Sequence, residues 1–198
     1  MTLHLRKQLA RGLRNIALEV RDEPFTLKSG ALSRHYVDCR KLLLDPTGRN
    51  LAGRYGAALI LAQKQEIDAL AGAPLGGLLF AETIATVLDA PLVVPRLDPK
   101  DHGKENQADL TIDIIEMLHR SRSLQTPDTR APRIFLVEDV ITTGSTVERA
   151  GRILIEQGFA IAGVLALVLR RPWNSPWPLL ACFTLDELVD YEPSNSTT

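Results

Sequence analysis

The segment Ile134–Thr146 (Ile-Phe-Leu-Val-Glu-Asp-Val-Ile-Thr-Thr-Gly-Ser-Thr) constrains this chain more than any other part of it. Its apolar start, Ile134 to Val137, predicts a buried strand. Two adjacent carboxylates, Glu138 and Asp139, end that strand in this reading. A loop of hydroxyl residues and one glycine follows, Thr142-Thr143-Gly144-Ser145-Thr146. Val147 to Gln157 then predicts a helix stopped by Gly158. Strand, acidic pair, small loop and helix start together predict a sugar-phosphate site. The loop amides and the positive helix end suit a phosphate dianion. The carboxylates accept hydrogen bonds from ribose hydroxyls. An ordinary strand-to-helix turn needs one capping hydroxyl, and the small polar residues here exceed that need. The G-x-x-x-x-G-K-[ST] phosphate loop is absent.

The rest of the chain predicts a setting for that segment. Its 198 residues suffice for one α/β domain with a full core. Hydrophobic residues make up 45% and charged residues 24%, as in globular proteins generally. A net charge of −1 points away from a nucleic-acid surface. The longest apolar run, Ile161 to Leu169, is too short to cross a bilayer and predicts a central strand. The N-terminus, Met1-Thr-Leu-His-Leu-Arg, shows no signal-peptide core. Cys39 and Cys182 lie far apart and outside any metal-ligand spacing, which predicts reduced thiols in a cytoplasmic protein.

Periodicity predicts an amphipathic helix over about 3–19, and short strands at Phe25–Gly30 and His35–Arg40 around a turn at Ser29-Gly30. Pro46-Thr-Gly48 predicts a turn and Leu51–Gln65 a helix. Ile67–Ala71 predicts a strand running into a tight loop, Gly72-Ala-Pro-Leu-Gly-Gly77, and then a helix over Leu78–Leu88. Further strands are expected at Pro91–Pro95, at Ile161–Leu169 and at Ala181–Thr184. Helices are expected at Ala108–Leu124 and Leu185–Tyr191, with Glu192–Thr198 a disordered tail. Trp173 and Trp177, among prolines, are expected to pack on the sheet edge. Alternating strands and helices predict a mostly parallel sheet covered on both faces, with its ligand crevice at the carboxyl ends of the strands. The first fifty or so residues read as a small subdomain over that crevice.

The Ile134–Thr146 segment resembles the 5-phosphoribosyl-1-pyrophosphate (PRPP) motif of type I phosphoribosyltransferases. Over nearly the whole chain the resemblance is to the orotate phosphoribosyltransferases. Phe25-Thr-Leu-Lys-Ser-Gly30 resembles that family's N-terminal element. Gly72–Gly77 is similar to its pyrophosphate-binding loop, here Ala73, Pro74, Gly76 and Gly77. Pro99-Lys-Asp-His-Gly103 is similar to its mobile catalytic loop. Arg170 follows a strand where the family carries a base-binding arginine.

The resemblance implies a single domain over 1–198, in which residues about 1–50 and the C-terminal segment form a hood. It implies transfer of ribose 5-phosphate from PRPP to orotate, giving orotidine 5′-monophosphate and pyrophosphate in pyrimidine synthesis. Arg96, Lys100, Lys104, Glu138, Asp139 and Thr142, Thr143, Gly144, Ser145 and Thr146 would bind PRPP. Lys100, His102 and Asp139 would be catalytic. Lys28, Tyr36, Thr142 and Arg170 would bind orotate. Mg²⁺ would be held mainly through PRPP rather than at a protein metal site. A cytoplasmic homodimer with shared active sites is implied, without nucleic-acid or membrane partners.

Departures from the family pattern are also visible. Gly76 stands where many members carry a lysine, Leu97 and Asp98 replace a basic-rich start, and Val37 follows Tyr36. The segment Ala108–Pro132 is longer than usual. Two other readings therefore stay open at this point: a phosphoribosyltransferase for another base, and a non-catalytic PRPP-binding regulator.

Overall fold

The computed structural model describes residues 2–26, 30, 32–95 and 130–191. Lys28, Arg96, Lys100, His102 and Lys104 lie outside the described residues, as do the helix expected over 108–124 and the tail 192–198.

Helix α1 (Thr2–Gly12) continues as a π-helical turn (Leu13–Ala17) and then becomes strand β1 (Leu18–Thr26). The expected helix over 3–19 is thus shorter at its end, because Leu18 pairs with Val37 of β2 (Leu32–Val37) in an antiparallel ribbon. Asp38 then caps a short helix, α2 (Cys39–Leu44), by accepting the Arg40 amide at 3.2 Å. Strand periodicity conceals that helix, since its first two residues, Cys39 and Arg40, read as the end of the His35–Arg40 strand. The expected turn at Pro46 is the first turn of α3 (Pro46–Leu61). Asp45 accepts the Gly48 amide at 2.7 Å, and the fixed φ of Pro46 suits the first helical position.

The remaining elements alternate. Strand β3 (Ala69–Gly72) leads to α4 (Gly76–Leu88) and β4 (Leu92–Val93). Strand β5 (Arg133–Ile141) leads to α5 (Ser145–Glu156) and β6 (Ala160–Leu169). Strand β7 (Leu179–Thr184) and helix α6 (Leu185–Val189) close the described chain. The five-stranded sheet has the order β4-β3-β5-β6-β7 and is parallel throughout, as the strand–helix alternation predicted.

Both faces of the sheet are buried, and the two-residue period of the strands divides the core accordingly. Leu70, Phe135, Val137, Leu165 and Leu167 join one core with α1 to α4. Ala69, Ala71, Ile134, Leu136, Val164 and Ala166 join the other with Val147, Ala150 and Leu154 of α5. The chain's two ends meet in the first core, where Leu5, Leu9 and Leu13 pack with Leu185 and Leu188. Arg14 donates to the Leu188 carbonyl at 2.8 Å, and the Tyr191 hydroxyl donates to the Lys7 carbonyl at 3.2 Å.

Asp45→Ala removes the α3 cap while leaving Pro46 in place. Urea unfolding should show a loss of about 1 kcal/mol with an unchanged slope; an unchanged midpoint would show that Asp45 does not cap α3 in solution.

Candidate active site

Strand β5 does not end at the acidic pair. It pairs with β6 as far as Ile141↔Leu169, so Glu138 and Asp139 lie within the strand. This corrects the expectation that the carboxylates terminate it; continued pairing with β6 carries the backbone onward. On the other side β3 stops at Gly72, opposite Val137, and its loop turns across the two carboxylates. Within that loop Ala73 is buried, its carbonyl accepts the Leu78 amide at 3.0 Å, and the Pro74–Leu75 peptide is cis.

The start of α4 lies so close to β5 that side chains are excluded from it. A Cβ at Gly76 would fall 2.1 Å from Asp139 Oδ2, and one at Gly77 would fall 2.7 Å from Glu138 Oε1. The Asp139 carboxylate thus occupies the ground in which a residue larger than glycine at position 76 would begin. Glu138 is 7% exposed. Its Oε1 accepts the Asp139 amide at 3.0 Å, and the Gly77 amide also donates to its carboxyl. Burial, reinforced by the Asp139 carboxylate beside it, holds Glu138 well above the usual carboxylate range.

Past β5, Gly144 adopts φ 78°, a left-handed conformation that turns the chain into α5. The amides of Ser145, Thr146 and Val147 lead that helix and have no intrahelical acceptor. Thr143 Oγ1 and Ser145 Oγ are 3.1 Å apart and share a hydrogen bond. Glu138 and Gly144 border a hollow of about 40 Å³ with the other loop residues. A larger cleft of about 570 Å³ opens beside it. Thr142, Thr143, Ser145 and Thr146 line one side of this cleft and Val140 its floor; Phe25, Thr26, Tyr36 and Val37 of the β1–β2 ribbon line the other, with Arg170 at the end of β6.

Arg170 is tied to the ribbon. Its Nη2 donates to Ser33 Oγ at 2.8 Å and to the His35 carbonyl, while its amide donates to the Ile141 carbonyl at 2.8 Å. Burial, then the neighbouring Arg171 charge, lowers its pKa from the usual guanidinium value. Phe25 and Tyr36 meet edge to face with centroids 5.7 Å apart, and the Arg21 guanidinium lies 4.9 Å from the Phe25 centroid.

The structure therefore brings together Tyr36, Thr142, Thr143, Ser145, Thr146 and Arg170 around one cleft, with Gly144 and Glu138 on the adjoining hollow. Asp139 and Gly76 face each other behind the loop. Sequence reasoning missed Thr26, Val37, Val140 and Ser33. Thr26 and Phe25 sit in the quoted Phe25–Gly30 element, which was a usable signal. Ser33 carried none, because its role depends on Arg170, far away in sequence.

Glu138→Gln replaces a buried group that prefers its proton with a permanently neutral one. Because the folded pKa is raised, the stability owed to protonated Glu138 is complete below the usual carboxylate range and lost as pH rises through the folded pKa. The melting temperature of Glu138→Gln relative to the native chain should therefore climb as pH is raised from the usual carboxylate range toward alkaline values. A constant difference across that range would mean that Glu138 is ordinarily ionised.

Comparison with known proteins agrees with this architecture. Residues 48–183 match the family model described as the phosphoribosyl transferase domain. An orotate phosphoribosyltransferase of Aquifex aeolicus is 33% identical over 196 residues, covering 93% of this chain and 97% of the relative. The crystal structure of the orotate phosphoribosyltransferase from Aeropyrum pernix superposes with TM-score 0.67 at 27% identity, covering 91% of this chain and 96% of that one. A Mycobacterium tuberculosis orotate phosphoribosyltransferase in complex with PRPP shares the fold, with TM-score 0.62 at 20% identity over 93% of this chain and 99% of that one. With its parallel sheet, its hydroxyl loop ahead of α5 and these relatives, the chain belongs to the phosphoribosyltransferase family, among the orotate phosphoribosyltransferases.

Proposed function

We propose that this chain transfers ribose 5-phosphate from PRPP to a ring nitrogen of orotate, forming orotidine 5′-monophosphate and pyrophosphate in pyrimidine nucleotide synthesis. One observation carries the reading: the hydroxyl loop ahead of α5 and the Phe25–Tyr36–Arg170 wall face each other across a single cleft. A phosphate-binding wall and a wall suited to a flat anion thus share one space.

The free amides at the start of α5, with Thr143, Ser145 and Thr146, hold the 5-phosphate at the positive end of the helix. Asp139 and Glu138 take the ribose side. Asp139, half-buried against Gly76, accepts ribose hydroxyls; buried Glu138 steadies it through the Asp139 amide. Tyr36 and Phe25 cover the orotate ring. Arg170 offers its remaining N–H groups to the carboxylate, Thr142 lies on the same wall, and Lys28 adds charge by family resemblance.

The orotate nitrogen attacks the anomeric carbon as the bond to pyrophosphate breaks, so positive charge grows on the sugar and negative charge on the leaving group. Arg96, Lys100, His102 and Lys104, again by resemblance, neutralise the latter. The Ala73-Pro74 and Gly76-Gly77 turn lies where pyrophosphate would leave. Closure of the loop around Lys100 would exclude water.

The carboxylate oxygens at this site are hard donors that suit magnesium, which would ride mainly on the oxygens of PRPP. When bound, the ion supplies positive charge to the departing pyrophosphate.

The β1–β2 ribbon and the C-terminal segment act as a hood over the cleft within one domain. The working unit is a cytoplasmic homodimer with shared active sites. Buried, unpaired Cys39 and Cys182 support a reducing compartment. No described helix is long and apolar enough to cross a membrane, and the net charge of −1 supports small-molecule rather than nucleic-acid partners.

With PRPP and magnesium, purified protein should consume orotate, followed by its ultraviolet absorbance. Turnover no higher than a Lys100→Ala control, or turnover of a different base in a screen of purines and pyrimidines, would sink the assignment. Lys100→Ala itself should lower kcat by roughly a hundred-fold or more while PRPP still binds, because the charge acts mainly in the transition state. Mixing Lys100→Ala with Asp139→Ala subunits should restore part of the activity; no recovery would argue that each site is complete within one subunit.

A further inference from the structure

The segment between β6 and β7, which includes Pro172-Trp-Asn-Ser-Pro-Trp-Pro178, packs both tryptophans against the core that the sheet shares with α5. It also runs against α5 and sets an indole on each of two glycines. A Cβ at Gly144 would fall 2.1 Å from Trp173 Cε2 and 2.2 Å from its Nε1; one at Gly151 would fall 2.2 Å from Trp177 Cη2. Gly144 and Gly151 are about two helical turns apart on one face, so the two rings grip α5 at its start and at its middle. The segment is itself braced. Ser175 donates its amide to the Trp173 carbonyl at 3.0 Å, its hydroxyl accepts the Trp177 amide at 3.2 Å, and the Pro178 carbonyl accepts the Val164 amide at 2.8 Å.

We propose that Trp173 is a positioning residue for the phosphate loop, holding Gly144 in place and drawing the Glu148 carboxylate aside from the anion site; this rests on the loop's assignment as the 5-phosphate cradle. The indole touches the one loop residue in a left-handed conformation, whose placement aims the Ser145 and Thr146 amides. Thr142, Thr143, Ser145 and Thr146 line the cleft and Trp173 is not among its lining residues, so the ring backs the loop from behind. Glu148 lies in the first turn of α5, where its charge would oppose a bound dianion. Trp173 Nε1 donates to Glu148 Oε1 at 3.2 Å, and Arg152 Nη1 lies 3.7 Å from Oε2. The carboxylate is thereby held on the flank of the helix. Trp177 makes the same kind of ring-on-glycine contact away from the loop and serves as its control.

The test compares KM values for PRPP and orotate in full-length Trp173→Ala, Trp173→Phe and Trp177→Ala. Trp173→Ala should raise the KM for PRPP roughly ten-fold while changing that for orotate less than about two-fold. Trp173→Phe keeps a flat ring against Gly144 but loses the N–H to Glu148, and should recover only part of the loss. Trp177→Ala should lower the melting temperature and leave the KM for PRPP at its native value. Equal KM shifts in Trp173→Ala and Trp177→Ala would overturn the proposal, leaving both rings as packing alone.

Should Trp173→Ala fail to fold, Trp177→Phe leaves Trp173 as the sole tryptophan. Its emission should then change saturably with ribose 5-phosphate, at concentrations that inhibit turnover competitively; a flat response at those concentrations also overturns the proposal. If ribose 5-phosphate neither binds nor inhibits the native chain, the loop assignment itself fails and Trp173's role falls with it.

Discussion

Helix α4 begins so close to strand β5 that a Cβ at Gly77 would fall 2.8 Å from the Val137 carbonyl, and this close approach sets the rest of the site. It confines Asp139 and buries Glu138, whose carboxyl is then shared between the Asp139 and Gly77 amides. An ionised carboxylate costs free energy when taken from water, so burial and a like-charged neighbour both favour the proton on Glu138. Two residues of one type, adjacent in sequence, thus acquire different properties: one is a buried support and the other a half-exposed acceptor. At position 76 a residue larger than glycine would need the Asp139 carboxylate to swing aside.

The second wall of the site is assembled from distant parts of the chain. The β1–β2 ribbon is a two-stranded sheet of its own, separate from the five-stranded one. The Arg170 guanidinium reaches it from the end of β6, through Ser33 and the His35 carbonyl. One cation thereby lines the cleft and fastens the ribbon that completes it. Part of its hydrogen-bonding capacity goes to the protein itself, which fixes the plane in which the remaining N–H groups face a ligand.

The fold was largely legible because its strands are buried on both faces and read as plain apolar runs, from Ile134 to Val137 and from Ile161 to Leu169. The helix α2 and the start of α3 were not, because both depend on side-chain caps, Asp38 and Asp45, in a stretch whose alternation resembles a strand. The loop over 142–146, the proposed phosphate cradle, stands out in the sequence by its composition alone. Thr26, Val140 and Ser33 were not legible as site residues, because nothing local distinguishes them from ordinary strand positions. The tryptophans pack with the edge strand against the core that the sheet shares with α5, but their contacts with Gly144 and Gly151 were not legible, because those glycines lie in a different element.

Sequence by itself determined the alternation of strands and helices from β3 onward, the parallel sheet and the small hydroxyl character of the loop after β5, because these follow from hydrophobic period and from residue types adjacent along the chain. Tertiary structure alone decided that β5 runs on beneath its carboxylates, that Glu138 is buried while Asp139 is not, and that Arg170 and the tryptophans each have a particular partner. Those outcomes depend on the spacing between packed elements, and a side chain's protonation and direction follow from what stands beside it in space.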